Sequence, residues 1–315
     1  MLKSRGMIIS DDAKAEKKLS EIGYYRLSGF WYSFRQIEYD TNGDVVYHLY
    51  NGKIPKRSDH FSPNTNFSDV IDLYLFDKSL RLCMLDALER IEIYIRSIIA
   101  YEMGKSDPLS YKDSAYIDSK FLSPDVLHNK EKSHWQEWSE SCNRHINRSH
   151  EDCILWYKES KKPIPIWVAI EVWDFGLMSK YFSMLKGKYK NKICRRVDPE
   201  LSPNVLNNWL RELNILRNRC AHHTRIWNQV SQNPLLIPNI SYFNSISLSS
   251  ISRSRICGMI AVIWFLVHKV GTNSKWIDRV AEVIEKHSKK NYFKVQNMGF
   301  ETNFRMELSL FKQSV

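Results

Sequence analysis

The chain has 315 residues, 43% of them hydrophobic and 26% charged, which excludes wholesale disorder and leaves room for one large domain or two modest ones. Lys and Arg number 46 against 35 Asp and Glu, and this charge of +11 suits a polyanionic partner, although a solubilising surface would look the same. Six scattered cysteines (Cys83, Cys142, Cys153, Cys194, Cys220 and Cys257) exclude a disulfide framework and fit free thiols in a cytoplasmic protein.

In chain order, Met1 to Ala15 carries only the short apolar run Met7-Ile8-Ile9, so no secretory signal is expected. Asp11 to Ile22 predicts a short helix stopped at Gly23. Tyr24 to Arg35 is dense in aromatics and punctuated by Arg26 and Arg35. Such a mixture can stack bases and hold phosphates, or pack as a small subdomain with its arginines reaching to water. Packing is favoured, because so many large apolar side chains need burial. From Gln36 to Tyr50, Asn42-Gly43 sits between β-prone runs and predicts one small hairpin.

Asp69 to Met103 carries the longest helical periodicity, with Ser68 as a cap and Gly104 as a stop. Glu89, Glu92 and Arg96 share one side of it, at i, i+3 and i+7. Residues 105–165 turn polar and carry four prolines, and read as an insertion of loops with room for a short helix. Helices are predicted for Trp167 to Trp173 and Leu177 to Leu185, separated by Gly176 and closed by Gly187. Ser202-Pro203 is a strong helix start, followed by apolar periodicity to Leu216 and beyond. Ile251 to Val270 and Trp276 to His287 are the last long helices. The apolar run Ile256 to Val270 is shorter than the roughly 20 residues of a bilayer span, so a core helix is expected and no membrane partner.

Chemistry concentrates in Leu213 to Asn228. On one continuous helix, Leu206, Trp209, Leu216, Cys220 and Trp227 would cluster around Leu213 as a core face. Arg211, Asn218, His222 and Arg225 would gather on the far side, about 120–180° away. Arg217 lies about 140° from His222 and would reach it only through its long arm or a break in the helix. These residue types match what RNA cleavage needs. An imidazole moves protons near neutral pH, a guanidinium grips phosphate oxygens, and an amide orients without titrating. No metal and no other cofactor is required by that scheme. The alternative for so short a pattern is a solvated basic face.

The sequence also resembles a known family, the Abi-like (AbiD and AbiF type) abortive-infection proteins. The resemblance runs through five ordered blocks: Arg5-Gly6-Met7 with Ile22 to Trp31; Phe67 to Arg81 continuing through Leu88 to Glu92 and Arg96; Pro165-Ile166-Trp167, Glu171 and Phe175-Gly176; Arg217-Asn218, Ala221-His222 and Trp227-Asn228; and Met298-Gly299-Phe300. The family usually has a short helix before the first block, whereas this chain starts almost at it, and 105–165 matches no block. The Arg-Asn-x3-His block is similar to the motif of HEPN ribonucleases. The resemblance implies a mainly α fold: a helical HEPN-like bundle over 67–315, with 105–165 inserted, after an N-terminal segment (1–66) carrying a small β-hairpin. It implies a metal-independent endoribonuclease of anti-phage defence, of toxin type, acting as a homodimer and bound or regulated by a small structured RNA. Arg217, Asn218 and His222 would be catalytic, with Glu89, Glu92 and Arg96 in support.

Candidate RNA-backbone contacts are Arg211, Arg219, Arg225, Arg195 and Arg196. Lys186, Lys188, Lys190 and Lys192 read as a solvated run, and His223 as a surface neighbour of His222. Cys142, His145, His150 and Cys153 have the residue types of a zinc site, but their span is short for one, and coincidence is favoured. The rival function is a non-catalytic RNA-binding module on the same basic face. A DNA-binding regulator ranks lower, since no helix-turn-helix spacing stands out.

Overall fold

A computed structural model describes residues 1–48, 51–124, 131–301 and 303–315, with backbone only for 51–54. The fold is mainly α, as expected, and where the sequence predicts one small hairpin the described residues form two short antiparallel β pairs. Its residues group into two compact units, Met1–Arg81 with Glu282–Lys294, and Leu82–Ala281 with Val295–Val315. The division falls at residue 81, inside a helix.

In the first unit, Asp11 caps α1 (Asp12–Ile22) by accepting from Lys14 N at 2.9 Å. Gly23, at φ +95°, ends α1 and opens α2 (Tyr24–Trp31). Leu27, Phe30 and Trp31 of α2 are buried, and Trp31 meets Tyr24 and Phe61 edge to face. Arg35 lies over the Tyr32 and Phe61 rings and pairs with Asp59 at 2.9 Å. Much of the aromatic block is therefore packing, while Tyr25 stays 89% exposed. β1 (Arg35–Ile37) pairs with β4 (Arg57–Phe61), and β2 (Tyr47–His48) with β3 (Asn51–Pro55). The chain reverses at Asn42-Gly43, where Tyr39 bridges Val45 and Asp40 Oδ1 accepts from Asn42 N and Asp44 N. The reversal falls at the expected turn, but only the single Tyr39–Val45 bridge spans it, and the strands on either side pair with β4 and β3 instead; residues 49 and 50 of the expected hairpin lie outside the described residues.

α3 (Phe67–Gly104) starts one residue before the expected cap Ser68, with Asn66 O accepting from Asp69 N. Its second-unit part buries Met84, Ala87, Leu88, Ile91, Ile95 and Ile99 at helical spacing. The stretch 105–165 departs from expectation. Besides 3-10 turns it forms α4 (His134–Arg148), opened by a Ser133–Gln136 capping box, and α5 (Asp152–Glu159). Trp138 of α4 is 1% exposed, stacks on Tyr181, meets Trp173 edge to face and donates from Nε1 to Leu177 O at 2.9 Å. The segment thus supplies core, and its polar residues are the outer faces of amphipathic helices.

α6 (Ile166–Ala169) leads through a 3-10 turn to α7 (Phe175–Met184), capped by Asp174, whose side chain accepts from Leu177 N at 2.7 Å. Gly176 lies inside α7 instead of before it. Gly187 begins α8 (Gly187–Val197) instead of ending a helix, so the lysine run is helical. α9 (Pro203–Ala221) starts at Ser202 as expected and buries Leu206, Trp209, Leu213, Leu216 and Cys220. Short α10 (Ser241–Ile246) and α11 (Ser250–Arg253) precede α12 (Ile256–Val270), which is buried over most of its circumference. α13 (Trp276–Ser288) and α14 (Phe304–Gln313) complete the chain. Among the described residues no helix is long and apolar enough to cross a membrane.

Candidate active site

α9 does not continue to Trp227. His222 is its C-cap at φ −87°, and His223 turns left-handed at φ +58°. His223 N donates to Cys220 O at 3.2 Å and Thr224 N to Arg219 O at 2.8 Å, the paired bonds of a Schellman ending. Arg225 and Trp227 therefore leave the helical wheel, although Trp227 is still buried at 1% exposure. His222 keeps the register, since its N–H reaches Asn218 O at 2.9 Å. Arg211 and His222 are exposed and Asn218 half-buried, so the polar stripe survives without Arg225.

Arg217, at the last turn of α9, points toward α3. Its Nε lies 3.9 Å from Glu92 Oε2, and its Nη1 donates to Asn218 Oδ1 at 3.2 Å. Asn218 Nδ2 reaches Asn214 Oδ1 one turn back at 3.5 Å. Glu92 also accepts from Arg96 Nη2 at 2.9 Å. Arg96 is held in turn by Trp173 O at 3.0 Å and faces Glu171 at 3.7 Å. Glu92 is only 13% exposed, and burial raises its pKa above the ordinary carboxylate value. Arg96 and Arg217 pull it down, while Asp174 and Glu89 push it further up. Two guanidiniums thus share a carboxylate whose desolvation they only partly offset. Arg217 remains one-third exposed, and its Nη2 has no protein partner among the described residues. This leaves a fixed cation open to a phosphate oxygen.

Of the supporting residues, Glu92 and Arg96 meet Arg217 directly or in one step, while Glu89 is exposed and acts on Glu92 through charge alone. Asn214 and Asp174 belong to the surroundings but were not singled out by sequence. Their signals are an asparagine four residues before Asn218 and an aspartate at a helix cap. The start of α7 lies beside α9, where a Cβ at Gly176 would make an ordinary contact with Asn214 Nδ2 at 3.4 Å. The candidate backbone arginines fare differently. Arg195 is exposed, with no salt bridge among the described residues. Arg196 pairs with Glu102 at 2.7 Å and covers Tyr101; Arg211 pairs with Glu212 at 3.2 Å. Arg219 is spent on the loop after α9, donating to Gln229 Oε1 at 3.0 Å and Arg225 O at 3.4 Å, and Arg225 is half-buried.

Cys142 is buried beside Trp173 and burial pushes its thiol up to about 12, whereas Cys153 is exposed. Among the described residues no group of three or more His, Cys, Asp or Glu is arranged to hold a metal ion, so the short Cys-His-His-Cys pattern does not converge.

The family model of the Abi-like protein matches residues 17–228, which is more than half of the chain. The chain belongs to the Abi-like protein family. The match takes in α3, the α4 and α5 segment, and the whole of α9 with His222. Membership makes this Abi-like protein one of abortive infection, a defence against phage. No curated protein and no solved structure matches it. Met298-Gly299-Phe300 lies beyond the matched residues, yet it braces the end of the site. Gly299 sits at φ +93° against Arg255, and its carbonyl accepts from Ser252 Oγ at 2.8 Å. Arg255 donates to Asn297 O and to Asn228 Oδ1, both at 3.0 Å, fixing the loop that follows His222.

Proposed function

We propose that this Abi-like protein is an endoribonuclease whose RNA cleavage carries out the abortive-infection response, with Arg217, Asn218 and His222 at the reacting phosphate. The observation that carries the reading is the end of α9. There a guanidinium is tethered by Glu92 and Asn218 yet open on one side, and an uncovered imidazole follows at the C-cap.

In this scheme neutral His222 takes the proton of a ribose 2′-OH, and the 2′ oxygen bonds to phosphorus. The bond to the 5′ oxygen breaks, and that oxygen takes a proton. The products are a 2′,3′-cyclic phosphate and a 5′-hydroxyl. Arg217 meets the negative charge that grows on the phosphate oxygens, which stabilises the transition state more than the ground state. Asn218 holds Arg217 in place without titrating. No metal ion takes part in these steps.

In an in-line displacement the 2′ oxygen and the departing 5′ oxygen lie on opposite sides of phosphorus, so one histidine serves one of the two proton transfers and a second group gives the 5′ oxygen its proton. A homodimer joined across the stripe of exposed Arg211 and His222 and half-buried Asn218 would bring a second copy of His222 to the same phosphate. A small structured RNA is the proposed regulator, drawn by the charge of +11.

The test is growth after induced expression of the parent chain and of His222→Ala in bacteria, with total RNA examined from both. Growth arrest with fragmented RNA in the parent alone supports the reading. Arrest by both chains with intact RNA would favour the binding module instead.

A further inference from the structure

A second feature of the same unit has no role in the scheme above. The last turn of α4 and the loop after it line a cleft of about 370 Å³ with Arg144, His145, Arg148 and His150, together with Glu151 and Glu171. Arg144 and Arg148 are exposed, and neither has a salt bridge or hydrogen bond among the described residues.

Helix ends often collect cations to satisfy their last carbonyls. That explanation is already taken here: Lys158 Nζ donates to Ile146 O at 2.8 Å and to Asn147 O at 3.2 Å. Of the two carboxylates, Glu171 faces Arg96 at 3.7 Å, which leaves Glu151 against two free guanidiniums. The cleft also abuts the candidate active site. Glu171 forms part of its wall and contacts Arg96, which holds Glu92, which faces Arg217. His145 on the same wall lies 3.6 Å from Asp174, which acts on Glu92 by charge.

We propose that this cleft is a second phosphate subsite, in which Arg144 and Arg148 grip the backbone of a single RNA strand whose reacting phosphate lies at Arg217 and His222. The inference rests on the ribonuclease reading for the identity of the strand. It gives the 105–165 segment a part in substrate binding, and it accounts for two arginines without a salt bridge or side-chain hydrogen bond among the described residues. Guanidinium forks suit phosphodiester oxygens, and contacts of this kind hold a strand in register without reading its sequence.

The experiment uses the full chain carrying His222→Ala, so that RNA is not consumed, and follows the fluorescence anisotropy of a labelled, unstructured RNA oligonucleotide over a range of NaCl. Adding Arg144→Gln and Arg148→Gln is expected to raise Kd on the order of tenfold in about 0.1 M salt. It should also lower the slope of log K against log salt by about 1.4, since each single-strand phosphate contact contributes about 0.7. Both side chains are exposed, so the melting temperature should stay that of the parent. Glu151→Gln should shift Kd the other way. A double variant that matches the parent in Kd and slope overturns the proposal, as does a parent that binds no RNA. Failure of the ribonuclease reading is distinct: RNA binding would then depend on Arg144 and Arg148 while the chain with His222 intact cut nothing.

Discussion

Arg217 of α9 and Glu92 of α3 face each other at 3.9 Å, and the same carboxylate binds Arg96 at 2.9 Å. One half-buried carboxylate therefore sets the position of a cation that remains one-third exposed, five residues before His222. Burial is the largest influence on Glu92 and raises its pKa. The folded chain then holds a proton on Glu92 that the unfolded chain has already lost. Below the ordinary carboxylate value the group costs no stability; as pH rises through the window up to its raised value, stability falls. Glu92→Gln lacks this loss. The melting temperature of Glu92→Gln relative to the parent should therefore climb as pH rises above the ordinary carboxylate value of about 4.3. A difference that is flat or shrinks over this range would show that burial does not dominate at Glu92.

The two adjacent histidines have different backbones and should behave differently. His222 keeps a near-helical conformation at the C-cap, whereas His223 occupies the left-handed position. His223→Gly preserves that turn, and RNA cleavage should stay within about threefold of the parent. His222→Ala should lower it by about a hundredfold or more. Equal losses from both would mean that the turn, not the imidazole, carries the activity.

Gly299 is required by space as well as by conformation. A Cβ there would lie 2.8 Å from Arg255 Cβ at a backbone φ of +93°. Gly299→Ala should cost at least about 2 kcal/mol, measured by denaturant unfolding. Because Arg255 also holds Asn228, cleavage should fall even at temperatures where the variant is folded.

Trp138 tests whether residues 105–165 belong to the core. It is buried against Trp173 and Tyr181, so Trp138→Ala should cost about 3–5 kcal/mol. A peripheral insertion would tolerate the change within about 0.5 kcal/mol.

Much of this was legible in the sequence, for identifiable reasons. Ser202-Pro203 and the Leu206-Trp209-Leu213-Leu216-Cys220 spacing carry both the cap and the buried face of α9, and Asn42-Gly43 marks its turn. The end of α9 was not legible, because its left-handed residue is a histidine where glycine is the usual sign. Gly176 and Gly187 misled in the opposite sense. They look like stops, but one lies inside α7 and the other opens a helix. α4 was hidden by its composition: Trp138, Cys142 and Ile146 form a narrow apolar stripe in an otherwise charged helix. At the site, the shared face of Glu89, Glu92 and Arg96 could be read from spacing. Its encounter with Arg217 could not, since that depends on how α3 and α9 pack.

The central claim is that Arg217 and His222 cut RNA and do not merely hold it. The most direct measurement incubates the purified chain with end-labelled RNA, with and without a chelator, and measures binding in parallel for the parent, Arg217→Ala and His222→Ala. The account predicts cleavage by the parent in chelator, 2′,3′-cyclic phosphate ends, and no cleavage by either variant while both still bind RNA. Parent-level cleavage by His222→Ala, or RNA binding by the parent with no cleavage under any condition, would contradict it.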